Sequence, residues 1–490
     1  MQRPARRPAT WAGTSLAAPM TRRTFLARAA AFGISASALG AVLDACTQVA
    51  PPTETPSATS SPTPVITPVT AFGGTPPVID PPPATATYGA MLEASALASV
   101  TVPSAALRAL LDEVAAEAGI PVTPAVADGR RQARLTVTAD DPSLASQAYR
   151  LEIAPATDGP IVTVRAGDDA GAYYGLLSLA RLIVAEGPAR WLRAVTVEDA
   201  PGFARRGAIL DPYVLPDVGV TDASRGLLLE RVRFGVRFKL NFLDLVDRTP
   251  WPELVRYCDE HRIELMNAIG YQDHLVDWWP DEDRRRIDEV IDAGTRSIAL
   301  CFDDISTTNP EALASQHATV VRDLYAYVRG RDPGIRVSTV LPPYGGIPGR
   351  NLVFSKPGEG ERYLAVMRDE LPADIRVFWT GDGGVFSATV TAAGATAYAD
   401  AVGRELGLWD NDTIRFSQQR KPCSGRAAGL STVVHSYMGN FVTGDPWRGT
   451  NGEFALLTSL AYTWNPSAYD PTAAAAAAER ILSGESATTG

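Results

Sequence analysis

The sequence predicts an α/β protein, a (β/α)8 TIM barrel preceded by a small α/β domain. After Pro201, apolar strand-like segments alternate with amphipathic helix-like ones, the pattern of repeated βα units around a parallel sheet. Eight such segments fall between residues 201 and 485, the number that closes a TIM barrel. Ahead of Pro201, short stretches with period-two alternation surround a single strong helical face.

The chain opens on an export signal. Thr21-Arg22-Arg23-Thr24-Phe25-Leu26 precedes an apolar, small-residue run from Ala29 to Leu43, the order of charge and then hydrophobe that marks a signal peptide. The paired arginines resemble a twin-arginine (Tat) leader. About 15 apolar residues are too few to span ~30 Å of hydrocarbon as a helix, so the run is not a standing anchor. It ends at Leu43-Asp44-Ala45-Cys46, which resembles a lipobox with Cys46 as the lipidated residue. Plain secretion, with Cys46 incidental, is the other reading. Met20 stands directly before the paired arginines and is a candidate start. Residues 1–46 are therefore assigned to the leader. Residues 47–87 are rich in Pro, Thr and Ser and are assigned to a disordered spacer, because that composition buries too little apolar area to fold.

Residues 88–200 form the small domain. Leu135-Thr136-Val137, Tyr149-Arg150-Leu151-Glu152-Ile153 and Ile161-Val162-Thr163-Val164 alternate as strands. From Gly171 to Val184 the residues Tyr174, Leu177, Leu179, Leu182 and Ile183 share one helical face, and Val195-Thr196-Val197 is the strand that follows. The glycines of Ala166-Gly167-Asp168-Asp169-Ala170-Gly171 do not form GxGxxG, and the two acids at the helix start would repel a phosphate.

The barrel strands are expected at Arg206–Leu210, Asn241–Val246, Ile263–Ile269, Ser297–Phe302, Arg336–Leu341, Arg376–Trp379, Gly407–Trp409 and Thr432–Tyr437. Strand seven is the weakest, and a doubly wound sheet is the alternative. Between strands two and three, Trp251, Leu254, Val255 and Cys258 follow helical spacing. Barrel chemistry belongs at the C-terminal strand ends. The polar residues there are Asp211, Tyr213, Asp247, Arg248, Asp303, Asp304, Tyr344, Thr380, Asp382, Asp410, Asn411 and Asn440. Such a ring of acids, hydroxyls and amides, with Trp379 and Trp409 beside it, suits a sugar: hydroxyls need donors and acceptors, and C–H faces stack on aromatics.

Bulk chemistry narrows the partners. With 55 acidic and 45 basic residues, a net charge of −10 and a pI near 5.1, the chain is a poor ligand for nucleic acid. Four cysteines and four histidines lie scattered without metal-ligand spacing, so neither a metal site nor a cofactor is expected. Setting Cys46 aside, Cys258, Cys301 and Cys423 permit at most one intrachain disulfide.

Ser297-Ile298-Ala299-Leu300-Cys301-Phe302-Asp303-Asp304-Ile305 is a buried strand ending in adjacent carboxylates. Neighbours in a regular strand point to opposite faces, so both acids enter one site only if the strand ends or bends there. Converging carboxylates raise at least one pKa and yield a general acid, and glycoside hydrolysis needs two acids. The alternative is one Asp capping the next helix and the other solvated.

In this context the sequence is similar to glycoside hydrolase family 84, the β-N-acetylglucosaminidases that include O-GlcNAc hydrolases. The likeness rests on Ala299 to Ile305, Trp379-Thr380-Gly381, Leu408-Trp409-Asp410-Asn411, and Tyr462-Thr463-Trp464-Asn465-Pro466-Ser467-Ala468-Tyr469-Asp470. The preceding domain resembles the small domain of family 20 and 84 hexosaminidases. The resemblance implies substrate-assisted, retaining catalysis on a glycan or glycoprotein substrate. Asp303 would orient the acetamide N–H, while Asp304 would protonate the leaving oxygen and then activate water. Tyr344, Thr380, Trp409, Asn411 and Asn440 match substrate-binding positions, and Trp464 and Tyr469 read as core.

Several positions depart from the family. The first strand reads Gly207-Ala208-Ile209-Leu210-Asp211-Pro212-Tyr213, retaining only Tyr213 of the usual sugar-binding turn. Arg248 stands for a lysine, keeping the charge but changing reach. Phe416 stands where an aspartate is expected, in a basic stretch with Arg415, Arg420, Lys421 and Arg426. Asp211, Asp247 or Asp412 could compensate, or the basic loop could face an acidic glycan or simply solvent. The expectation is an exported, lipid-anchored β-N-acetylhexosaminidase. The rivals are a non-catalytic glycan-binding lipoprotein and a transporter's sugar-binding component, although the strand count shows no second lobe.

Overall fold

The structure, a computed structural model, describes residues 72–124, 131–186, 189–210, 222–246, 251–270, 281–303, 311–346, 358–440 and 450–483. All lie in one compact unit, Val65–Gly490.

The small domain is a mixed sheet with helices against one face. Its elements are β1 (Thr85–Glu93), β2 (Leu97–Thr101), α1 (Ala105–Glu117), β3 (Val122–Thr123), β4 (Ala133–Thr138), β5 (Tyr149–Ala154), β6 (Ile161–Ala166), α2 (Asp169–Arg181), β7 (Ile183–Glu186) and β8 (Ala189–Asp199). The strand order is β1-β8-β5-β6-β4-β2-β3, with β7 on β8. Alternation decides which face is buried: Leu135, Val137, Leu151, Ile153, Val162 and Val164 all turn inward against the helices. The Asp168 carboxylate caps α2 by accepting from Gly171 N at 2.8 Å, so the helix start carries a side-chain anion. The sequence pattern extends this helix to Val184, yet it stops at Arg181. Ile183 and Val184 pair instead with Leu192 and Trp191, because the sheet edge supplies partners that helical periodicity cannot reveal.

Residues 72–87 belong by composition with the spacer, but Ile79 is 1% exposed and β1 begins at Thr85, paired with Glu198. Apolar burial and sheet pairing there outweigh the proline content. Ala84 N donates to Asp199 Oδ1 at 2.9 Å. The same buried carboxylate accepts from Tyr149 OH at 2.6 Å, Trp464 Nε1 at 2.9 Å and Lys239 Nζ at 3.2 Å. It thereby ties the small domain to the barrel. Trp464 is fully buried there, and Tyr469 packs partly buried against the core with its hydroxyl donating to Cys423 O at 2.7 Å, as their sequence context suggests.

The barrel runs β9 (Arg205–Leu210), α3 (Asp222–Val236), β10 (Phe242–Leu245), α4 (Pro252–Glu260), β11 (Glu264–Gly270), α5 (Asp281–Asp292), β12 (Ser297–Cys301), α6 (Ala314–Arg331), β13 (Arg336–Val340), α7 (Glu359–Glu370), β14 (Arg376–Trp379), α8 (Ala392–Val402), β15 (Leu406–Asp410), α9 (Thr413–Gln419), β16 (Val434–Gly439), α10 (Thr450–Trp464) and α11 (Pro471–Leu482). β9 to β16 close in sequence order, every pairing parallel. The doubly wound alternative is excluded, and the weak seventh strand is present as β15.

Inward side chains fill the barrel: Ile209, Phe242, Met266, Ala268, Ala299, Cys301, Val340, Phe378 and Met438 form one cluster, a packed core rather than a channel. Gly407 makes room for it, since a Cβ there would lie 2.5 Å from the Phe378 ring. At the N-terminal end, Glu264 receives Arg205 at 2.6 Å, Arg376 at 3.0 Å and also Arg336. This ionic plug closes the end opposite the one that carries chemistry. Cys258, Cys301 and Cys423 are buried free thiols.

Candidate active site

Strand parity determines what reaches the C-terminal mouth. Ala299 and Cys301 face the barrel interior, and Asp303, half-buried two residues on, lies near enough for its charge to act on the inward Cys301 thiol. β12 ends at Cys301, before the acidic pair, which meets the condition that the strand stop there. Burial, together with the charges of Asp303 and Asp244, pushes the Cys301 thiol well above its ordinary pKa. Asp244, fully buried in β10, thus joins Asp303 above the apolar floor. Sequence reasoning missed it, although its parity with inward Phe242 was the available signal. Asp304, Tyr213, Arg248, Asp211, Asp247 and Cys46 lie outside the described residues.

Four of the expected residues come together as two bonded pairs. Tyr344, 5% exposed, packs against the interior cluster. Its carbonyl accepts from Thr380 N at 2.8 Å. The Thr380 hydroxyl lies 2.5 Å from Gly384 O and 3.2 Å from Tyr344 O, so its proton is engaged by backbone and its free capacity is as an acceptor. Gly345 permits this close seam: a Cβ would fall 2.5 Å from Gly384 backbone. On the other side Asn440 Nδ2 donates to Asn411 Oδ1 at 2.6 Å. Asn411 Nδ2 donates to Val385 O at 2.7 Å. Residues 380–385 therefore connect the Tyr344–Thr380 pair to the Asn411–Asn440 pair, and Val385 packs on the same interior cluster.

Trp409 also packs on that cluster. Its indole N–H is shielded from solvent and meets no acceptor among the described residues. Asp410 serves a different purpose. Parity turns it away from the interior, and it is buried in a bidentate pair with Arg426 at 2.5 and 2.8 Å, with Tyr437 OH 2.7 Å away. Burial alone would lower the Arg426 pKa, but the Asp410 charge outweighs it and holds the guanidinium firmly protonated. Asp382 accepts from Thr391 N at 2.9 Å, which holds the start of α8.

Asp412, a candidate to replace lost sugar contacts, is 4% exposed. It lies 3.1 Å from Arg415 and 3.9 Å from Arg426. Burial raises its pKa against the pull of Arg426. Arg420 pairs with Glu479 at 2.6 Å. Most of the basic stretch is thus engaged in local ion pairs rather than presented as a cationic face.

The mouth therefore combines a half-buried carboxylate, two amides, an indole N–H without an acceptor among the described residues, and hydroxyl oxygens over an apolar floor. That is equipment for binding a polyhydroxylated, amide-bearing ring. Residues 253–489 match the family model for beta-N-acetylglucosaminidase, and residues 77–200 match that for glycosyl hydrolase family 20, domain 2. Among solved structures, CpGH84B aligns with a TM-score of 0.66 at 19% identity, over 84% of this chain and 75% of that one. CpGH84D aligns with a TM-score of 0.62 at 16% identity, over 82% and 72%. At these identities the two structures support the fold.

Proposed function

From the premise that this chain is a family-84-like glycoside hydrolase of the β-N-acetylglucosaminidase type, we propose that it cleaves β-linked N-acetylglucosamine by substrate-assisted catalysis with Asp303 and Asp304 as its acids. The observation that carries this reading is the half-buried Asp303 directly beyond the end of β12, whose charge acts on the inward Cys301 of the apolar floor. Asp303 accepts the acetamide N–H and aims the acetamide oxygen at the anomeric carbon. That oxygen forms the new bond to the carbon as the glycosidic C–O bond breaks. Asp304 gives its proton to the departing oxygen, and the sugar is left as an oxazolinium ion whose N–H stays hydrogen-bonded to the Asp303 carboxylate. Water then adds at the anomeric carbon, losing its proton to Asp304, and the acetamide is restored with net retention. No enzyme nucleophile is needed. Trp409 Nε1, Asn411 and Asn440 supply donors and acceptors for the sugar, with Tyr344 and Thr380 beside the acetamide and Tyr213 and Arg248 completing the binding set.

An aryl β-N-acetylglucosaminide is the test substrate. Asp304→Asn is expected to lower kcat by about 10²- to 10⁴-fold, the usual worth of general acid–base catalysis. Asp303→Asn should also be impaired, and the corresponding glucoside without the acetamide should resist cleavage. Wild-type turnover no greater than that of Asp304→Asn would refute the enzyme and leave a glycan-binding protein.

The leader supports a second element of the proposal: export by the twin-arginine route, lipidation at Cys46, and display on the outer face of the cell membrane at the end of a Pro/Thr/Ser-rich spacer. Metabolic labelling with a fatty acid should mark the wild type and not Cys46→Ser. Equal labelling of both, or release of unlabelled protein into the medium, would reject it.

A further inference from the structure

The segment that joins the two halves of the mouth continues outward into an aromatic surface. Val385 is fixed by Asn411 and by the interior cluster, so the next residue, Phe386, is held at the rim. Phe386 is 39% exposed, although large hydrophobic side chains are otherwise mostly covered. Arg415, from α9, places its guanidinium carbon 4.7 Å from the ring centroid and is itself held by Asp412 at 3.1 Å. Two loops, after β14 and after β15, thus build one braced plate beside the Asn411–Asn440 pair. A solvent-facing aromatic on a fixed backbone costs exposed apolar area, which a stacking ligand would recover.

We propose that Phe386, braced by Arg415, is a binding platform for the leaving group, and that the leaving group is a neutral sugar ring. The inference rests on the hydrolase reading above and specifies its substrate class. A pyranose offers an apolar C–H face to an aromatic ring, while its hydroxyls reach the exposed guanidinium edge, as Arg415 retains 49% of its side-chain surface. Local charge selects neutrality. Of the four basic residues from 415 to 426, Arg415, Arg420 and Arg426 are each matched by a carboxylate, Asp412, Glu479 and Asp410. Among the described residues of this stretch, an acidic sugar would find little uncompensated positive charge.

The full-length protein is assayed on N-acetyl-β-glucosaminyl fluoride, whose leaving group reaches no rim, and on two disaccharides with N-acetylglucosamine at the non-reducing end. One is N,N′-diacetylchitobiose and the other has glucuronate as the leaving sugar. In Phe386→Ala the ratio of kcat/KM for chitobiose to that for the fluoride should fall by on the order of tenfold, mostly through KM. Phe386→Trp should retain the wild-type ratio. An unchanged ratio in Phe386→Ala would overturn the platform, even if both substrates slowed equally, because that would mark a structural role. Wild-type preference for the glucuronate disaccharide would overturn neutrality. Wild-type failure on the fluoride would refute the hydrolase reading itself and this inference with it, whereas turnover of the fluoride with an unchanged ratio refutes this inference alone.

Discussion

Replacing Glu264 by Gln should destabilise the barrel without touching its chemistry. Glu264 is the acceptor for Arg205, Arg336 and Arg376 at the N-terminal end of the strands, and Ser297 Oγ donates to it at 3.1 Å. Burial on its own would raise the Glu264 pKa, but Arg376, Arg205 and Arg336 together hold it down at about 2. The fall from an ordinary value of 4.5 corresponds to about 3 kcal/mol at neutral pH, at 1.36 kcal/mol per pKa unit. Its side chain is 15% exposed, so solvent screening discounts this only modestly. With an unfolding entropy of about 2.1 cal/mol/K per residue over roughly 400 folded residues, the expected loss in Tm is about 3–4 °C. The sign follows from linkage. A carboxylate whose folded pKa is depressed adds stability that is complete above its unfolded value and disappears as pH falls through the folded value. The gap between wild type and Glu264→Gln, measured by thermal unfolding, should therefore be full at pH 7 and shrink to about half or less by pH 3. The specificity constant should stay within about twofold, since chemistry sits at the opposite strand ends. A gap independent of pH, or a large loss of activity in a variant that keeps its Tm, would refute the reasoning.

Other perturbations separate scaffold from site. Arg426→Ala strands the buried Asp410 carboxylate and should cost about 3–5 kcal/mol in denaturant unfolding; Arg426→Lys should recover only part, because one ammonium cannot replace a bidentate fork. Asn411→Ala removes the bonds to Val385 and Asn440. It should cost about 1–3 kcal/mol of local stability, and KM for an aryl N-acetylglucosaminide should rise while the far-UV spectrum is unchanged. Gly345→Ala forces a Cβ to 2.5 Å from Gly384; activity should fall more steeply than Tm, since the strain is confined to the Tyr344–Thr380 seam, and an unaffected kcat/KM would show that this seam does not shape the site.

Much of the barrel was legible because buried parallel strands leave near-continuous apolar runs between polar helices. Ser297–Cys301 and Arg376–Trp379 are segments of that kind, and even the short β15 was recognisable from its place in the series. Element ends were less so: α2 gives way to β7 at Ile183 because β8 lies alongside, and the Pro-rich stretch before Thr85 is held by a distant Asp199. Among the mouth residues, type and strand-end position indicated Tyr344, Thr380, Trp409, Asn411 and Asn440. They did not reveal Asp244, whose charge acts with that of Asp303 on the Cys301 thiol, or the rim position of Phe386.

By itself the sequence determined the alternation of strands and helices, the acidic pair at the end of the fourth barrel strand, and the polar residues at the other strand ends. These depend on local periodicity and residue chemistry, which the linear order carries. Tertiary structure alone decided how those polar groups divide their work. Asp410 and Asp412 are held by arginines, Thr380 spends its proton on backbone, and Asn411 and Asn440 bond each other, whereas the buried Trp409 N–H meets no acceptor among the described residues. The physical reason is that a polar group is available to a ligand only after its neighbours have taken what burial obliges them to take, and those neighbours arrive from strands far apart in the chain.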